Sequence, residues 1–411
     1  MPCVCLSNAG AVAHICERLD GIPLALELAA ALTQILSVEE IAARIDNRFA
    51  LLKGGYRTAT PRHQALSNVV DWSYELLAPA EQILLARLSV FVGGWNTEAA
   101  EQVCADADLK RADVLPMLRQ LVNKSLVMID ERTTETTRYR LLKAIHEYAT
   151  DKLRERNEYL MMKDNHLNYL VGFAEATDAL LTTQAHEAAG AQFVAQQDEL
   201  RAALTHAEAS GNVEALLRLL AAQQRFWRGG YRTEVTQWMN RALALGSTAP
   251  AWLQLAVIFA WAWTFPDEAT HLAKHAPMVE ACLAECRAAQ DQIGIAQAQT
   301  VLSDIARAVH QDFAAARLCL EEAWHIFENS GDRRAISIVR HKMGVVLKQL
   351  DSAAAEAWLQ DSITLYSAAG DAINLSTTLA DLAWLIEDKT PNDPRLVDLW
   401  RRSVEAARLW L

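Results

Sequence analysis

Two stretches of the chain, "LEEAWHIFENSGD" (320–332) and "LQDSITLYSAAGD" (359–371), superpose at a single offset of 39 residues. Leu320 falls on Leu359, Phe327 on Tyr366, Gly331 on Gly370 and Asp332 on Asp371, and Ala316 maps onto Ala355 by the same shift. An offset of 41 brings Asp291 onto Asp332 and Cys286 onto Phe327, a weaker copy. A period near 40 that reads helix, turn, helix and closes on Gly–Asp predicts an α-solenoid of tetratricopeptide type, in which stacked helix pairs bury one continuous core. The region 195–245 carries further helices of similar design, without a repeat that can be placed.

The start of the chain is also helical but differently organised. "RLDGIPLALELAAAL" (18–32) sets Gly21 and Pro23 two residues apart. Gly suits the left-handed position past a helix C-terminus and Pro suits a first helical turn, so two helices are expected to meet at a sharp corner there. Ser37 and Glu40 form a capping box ahead of "VEEIAARI", and Gly54–Gly55 close the segment. Between these regions the order changes. "HQALSNVVDWSYELL", "APAEQILLARLSVF", "NTEAAEQVC" and "DVLPMLRQLVNK" read as helices. "SLVMID", the polar tip "ERTTETT" and "RYRLL" then read as a hairpin, followed by the helix "KAIHEYATDKLRER". That is the order of a winged helix.

Three regions are therefore expected: 1–58 a helical bundle, 59–157 a winged-helix domain, and 158–411 the helical repeats. The fold class is mainly α, with one small β-hairpin. Charge argues against a general nucleic-acid or membrane-surface binder, since the net charge is −12. Seven cysteines without framework spacing suit a reducing, cytoplasmic setting. The apolar run "AWLQLAVIFAWAWTF" between Pro250 and Pro266 would rise only about 22 Å as a helix, so a buried helix rather than a membrane span is expected.

No motif in the chain carries a complete set of catalytic groups. "LVMIDE" (126–131) imitates a Walker B strand, but the phosphate cradle that chemistry needs requires a Gly–Lys dipeptide, and the chain has none. Asp130 and Glu131 are read as the first wing strand and its charged turn. His271, His275, Cys282 and Cys286 are spaced i, i+4 in two pairs, but Pro277 separates them and Cys286 sits at a core repeat position, so no metal site is expected. Direct DNA binding is not expected either. The helix before the wing offers Arg119, Gln120, Asn123 and Lys124, with Arg132, Arg138 and Arg140 in the hairpin, yet carboxylates outnumber cations over the module.

"ICERLDGIPLALELAAAL", "EEIAARI", "RHQALSNVVDWSYELL", "LLARLSVFVGGW", "LVNKSLV" and "YRLLKAIHEYATDKL" resemble the ARC and winged-helix segments of bacterial STAND-class signal-transduction ATPases, the NB-ARC-type regulators related to the AfsR/SARP group. "DELRAALTHAEASGN" and the repeats resemble their tetratricopeptide-like sensor arm. The resemblance implies a regulatory, non-enzymatic role in which a ligand or partner on the repeats is coupled to a nucleotide switch. It implies that Gly21, Pro23 and Leu24 face the nucleotide. ADP or ATP would be bound only together with a P-loop domain, which this chain does not contain, so no cofactor is expected for the chain alone. The implied partners are that P-loop domain and a protein or small-molecule inducer. The Met-His-Asp motif of eukaryotic relatives has Leu141, Leu142 and Lys143 as its counterpart, without a histidine. Trp227, Trp238, Trp263 and Trp358, among twelve tryptophans, are expected as partner anchors in the repeat groove. The alternative is a free-standing winged-helix transcription factor with a helical-repeat dimerisation arm.

Overall fold

The computed structural model describes residues 8–19, 23–51, 69–130, 137–180, 185–223, 232–245, 249–264 and 269–408. The chain is mainly α-helical and divides into two compact units, Met1–Tyr169 and Leu170–Leu411.

In the first unit three helices, Ala9–Arg18, Pro23–Leu32 and Val38–Leu51, precede the winged helix. The corner expected between the first two falls where Arg18 ends one helix and Pro23 opens the next, and Gly21 lies outside the described residues. Ser37 and Glu40 make the expected capping box: Ser37 N donates to Glu40 Oε2 at 2.8 Å and Glu40 N to Ser37 Oγ at 3.2 Å. The Ser37 N–H bond, with a second bond from Ser37 Oγ to Glu40 Oε2 at 2.9 Å, holds the Glu40 carboxyl below its ordinary pKa.

The winged helix follows as Pro79–Leu88, β1 Trp95–Asn96, Thr97–Cys104, Arg111–Asn123, β2 Met128–Asp130, β3 Arg138–Arg140 and Lys143–Glu155. The sheet order is β1-β3-β2 and both pairings are antiparallel. The hairpin is shorter than its apolar run suggests, because Leu126 and Val127 leave the ladder and turn into the core, fully buried. The strand β1 is two residues long, too short for its sequence to show a period. Leu28, Leu32 and Ile41 of the first helices share one apolar core with Leu84, Leu88 and Leu121 of the winged helix. Each such side chain contributes on the order of 1.5–3 kcal/mol by leaving water. Met162 and the ring of His166, in edge contact with Phe91 at 5.2 Å, extend this core into the helix Tyr159–Leu180.

The second unit is a stack of antiparallel helix pairs. Three complete pairs are Gln292–Ala308 with Phe313–Ser330, Arg333–Leu347 with Ser352–Ala369, and Ala372–Lys389 with Arg395–Arg408. The 39-residue register is realised in the core, where Leu320, Phe327, Leu359 and Tyr366 are all buried. It is realised at the corners as well. Gly331 and Gly370 adopt φ of +72° and +71°, ending one helix, and Asp332 and Asp371 cap the next through Ala335 N at 3.0 Å and Asn374 N at 3.2 Å. The same joint occurs where sequence periodicity could not place a repeat: Gly211 has φ of +71° and Asn212 accepts from Ala215 N at 3.1 Å. Upstream, Gln290 takes the left-handed position at +58° and Asp291 caps through Gly294 N at 3.0 Å. The run around Trp261 is a buried helix, Ala251–Thr264, and no described helix is long and apolar enough to cross a membrane.

Candidate functional site

Two places carry the functional reading: the winged helix with the corner before it, and the tryptophans of the repeats. In the winged helix the third helix, Arg111–Asn123, is the element that would enter a DNA groove. Val114, Leu118 and Leu121 turn into the core every three to four residues. The opposite face exposes Leu115, Pro116, Arg119, Gln120 and Asn123, with Leu115 41% exposed at its centre. Gly94, at φ +121°, lets the chain before β1 approach β3 closely; a Cβ there would lie 2.8 Å from Tyr139 O.

Several nearby cations are paired within the chain, Arg87 deeply buried and Arg111 at the surface. Arg87 is 1% exposed and donates to Asp106 at 2.7 Å, to Glu158 at 2.8 Å and to Cys104 O at 2.8 Å. These bonds raise the Arg87 pKa and lower that of Asp106, against a desolvation cost on both. Lys124 is held by Glu81 at 2.7 Å, Arg111 by Glu101 at 3.0 Å, and Arg138 donates to Gly94 O at 3.0 Å. Arg119 stays exposed, Arg140 is half-buried, and Arg132 lies outside the described residues. Asp130 pairs across the sheet with Arg138 on an edge strand of an antiparallel hairpin, as the wing reading expects of "LVMIDE". Glu131 is outside the described residues.

Of the residues expected to face a nucleotide, Pro23 is exposed at the start of its helix, Leu24 is half-buried against the core, and Gly21 is not described. A cavity of about 850 Å³ opens along the same helix, lined by Leu26, Glu27 and Ala30 together with Val12, Val38 and Asn123. Pro23 and Leu24 are not part of its lining.

Of the four expected anchor tryptophans, the structure describes the side chains of two, Trp238 and Trp358. Trp238 is buried beneath the Arg241 guanidinium, 4.0 Å from its ring. Trp358 is half-buried, edge-on to Trp324 at 5.5 Å and 5.9 Å from Arg340. Trp227 is outside the described residues, as is the side chain of Trp263. The pairing of Trp358 with Trp324 was missed, since the two occupy different repeat positions. His275, Cys282 and Cys286 are buried, and burial pushes the Cys282 thiol up to about 11. Among the described residues no group of three or more His, Cys, Asp or Glu is placed to hold a metal ion.

The fold defines a winged helix followed by helical repeats, and residues 77–154 match the family model described as a winged helix-turn-helix domain. The chain is 38% identical over 307 residues to "Putative HTH-type transcriptional regulator Rv0890c" of Mycobacterium tuberculosis and, equally, to its Mycobacterium bovis counterpart Mb0914c, covering 71% of this chain and 34% of theirs. It is 42% identical over 152 residues to "Uncharacterized protein Rv0894" of Mycobacterium tuberculosis, covering 37% of this chain and 38% of that protein. The chain thus spans about a third of the length of the curated relatives it matches. Its structure aligns at a TM-score of 0.47 and 13% identity with the crystal structure of a STAND protein with a tetratricopeptide repeat sensor, PH0952 from Pyrococcus horikoshii, over 95% of this chain and 62% of that one. The relatives' regulator names and the winged-helix match support the class read from the sequence.

Proposed function

We propose that this chain is the non-catalytic regulatory and sensor portion of a bacterial signal-transduction ATPase or transcriptional regulator. A protein or small-molecule inducer binds the helical repeats, with Trp227, Trp238, Trp263 and Trp358 as its anchors. That binding biases a nucleotide switch whose P-loop domain is contacted by Gly21, Pro23 and Leu24. The domain boundary near 157/158 belongs to the same proposal.

The observation that carries this reading is the exposed face of the third winged-helix helix. Leu115 and Pro116 occupy its centre, while Arg87, Lys124 and Arg138 bond to other groups of the chain and Arg111 is paired with Glu101 at the surface. Such a face suits a protein surface better than a phosphate backbone, which rewards free cations.

Calorimetry on the chain, alone and joined to the P-loop domain of a longer family member, tests the proposal. Alone, the chain binds ADP no tighter than about millimolar, because an adenine contact leaves the phosphates uncompensated. Joined, it tightens ADP binding, and Pro23→Ala weakens that gain. Micromolar ADP binding by the chain alone, or no gain on joining, overturns the proposal.

The relatives' names favour a second reading, direct DNA binding by the winged helix. Fluorescence anisotropy with duplex DNA separates the two. The first reading expects at most weak binding that falls steeply with salt; sub-micromolar, sequence-selective binding at roughly 0.15 M salt establishes the second.

A further inference from the structure

In a solenoid each repeat touches its neighbours and no others. One face of the helix Arg333–Leu347 departs from that rule. Arg334, Ile338 and Lys342 follow one another along it at one-turn intervals, so they share a face. Lys342 pairs with Asp304 on Gln292–Ala308, the leading helix of the preceding repeat, as stacking requires. Ile338 forms a small buried cluster with Tyr366, and Phe259 packs against that cluster from Ala251–Thr264, one repeat further back. Arg334 reaches further still. Its Nη1 donates to Asp178 Oδ2 at 3.0 Å, and Asp178 lies near the end of Tyr159–Leu180, at the start of the second unit. All the helices from His186 to Ser330 come between these two residues in the chain. Stacking of neighbours therefore accounts for the contact at Lys342 and not for the other two.

We infer that Asp178–Arg334 is a releasable clasp on the repeat arm. Closed, it draws the first helix of the second unit onto the inner face of Arg333–Leu347; open, it uncovers that face. The pair joins elements that stacking alone keeps apart, so it sets the curvature of the whole arm rather than the packing of one repeat. Its strength is that of a catch. Glu175, one turn before Asp178 on the same helix, is held by Arg218 through both prongs of the guanidinium, Nε at 2.7 Å and Nη2 at 2.8 Å. Arg334 grips Asp178 with one prong, and its Nη2 is buried without a hydrogen-bond partner. A two-pronged pair fixes its geometry, whereas a single bond gives way more readily. The Arg334 and Asp178 side chains are 28% and 14% exposed, so salt still screens their attraction. Phe259 adds one half-buried ring. Among the described residues, Tyr159–Leu180 and Ala251–Thr264 meet Arg333–Leu347 at these side chains rather than along their lengths, so no extended core has to part. The inference concerns the arm alone and does not depend on the nucleotide or the inducer proposed above.

Hydrogen exchange of the full chain, read segment by segment by mass spectrometry, tests the clasp. Asp178→Asn and Arg334→Gln each remove the ion pair at a partly exposed position. Each is expected to speed exchange at least about threefold in 170–180, in 333–340 and in 251–264, a segment that carries neither residue. The outer helices Phe313–Ser330 and Ser352–Ala369 are expected to exchange as in the wild type. The charge swap Asp178→Arg/Arg334→Asp rebuilds the pair in reverse and is expected to recover most of the protection. Small-angle scattering reads the same opening as a larger radius of gyration for the single variants, reversed in the swap. Exchange unchanged by both single variants overturns the inference. Acceleration spread equally over the outer helices overturns it, as does loss of helical circular dichroism in both variants, since the pair would then hold the fold rather than its curvature. A swap no better protected than the single variants overturns it too.

Discussion

Lys342 Nζ donates to the carboxylate of Asp304 at 2.5 Å, joining the helices Arg333–Leu347 and Gln292–Ala308 of successive repeats, with the two side chains 8% and 3% exposed. Neither charge has water to fall back on. Lys342→Met removes the ion-pair partner of the buried Asp304 carboxylate and is expected to cost about 3–5 kcal/mol, read as a lower urea midpoint of the repeat unit. The double variant Lys342→Met/Asp304→Leu removes both charges and is expected to recover most of that loss. A double variant no more stable than the single would show that the pair itself, rather than its desolvation, holds the two repeats.

Two glycines with positive φ should respond differently to alanine. Gly94 at +121° faces Tyr139 O, 2.8 Å from where a Cβ would stand, so Gly94→Ala meets both strain and a backbone clash. A loss of about 2–4 kcal/mol is expected, with the β1–β3 pairing disturbed. Gly331 at +72° has open space around it, so Gly331→Ala carries only the left-handed penalty, about 1–2 kcal/mol. Thermal unfolding of the two variants checks the order, and a larger loss at Gly331 would contradict it.

His275 gives the repeats a dependence on pH. Burial first, then the neighbouring charges of Lys274 and His271, lower its pKa from 6.5 to about 4. The folded chain keeps this imidazole neutral where the unfolded chain has already taken a proton. Its contribution is therefore whole above about pH 6.5 and is lost as pH falls through the window from 6.5 to about 4, reaching at most about 3 kcal/mol. Urea midpoints measured across that window should fall more steeply for the wild type than for His275→Leu. Parallel curves would exclude His275 as the source.

These residues also mark how far the sequence could be read. Corners were legible where a left-handed glycine and a capping aspartate recur together with a matching core period, as at Gly331–Asp332 and Gly370–Asp371. Gly211–Asn212 is the same joint with an amide in place of the carboxylate; it escaped notice because no matching core period accompanies it. β1 was out of reach, since Trp95 and Asn96 pair with Tyr139 and Arg138 more than forty residues away and two residues show no alternation. The anchor tryptophans show the same limit at the level of the site. Helical spacing says which residues are aromatic, but only packing says that Trp238 lies under Arg241 and that Trp358 meets Trp324.

The corner joint has a consequence for the history of the arm. Each one is complete within a few residues: a left-handed residue stops one helix, and the side chain after it starts the next by binding an amide three residues on. Nothing in it consults a residue from a distant repeat. A whole unit of about 39 residues can therefore be copied or deleted at these joints with every helix start and stop arriving intact, and only the two newly abutting faces need to be fitted to each other. Arms of different length on a common winged helix are the natural product of such a joint, with novelty confined to the seams.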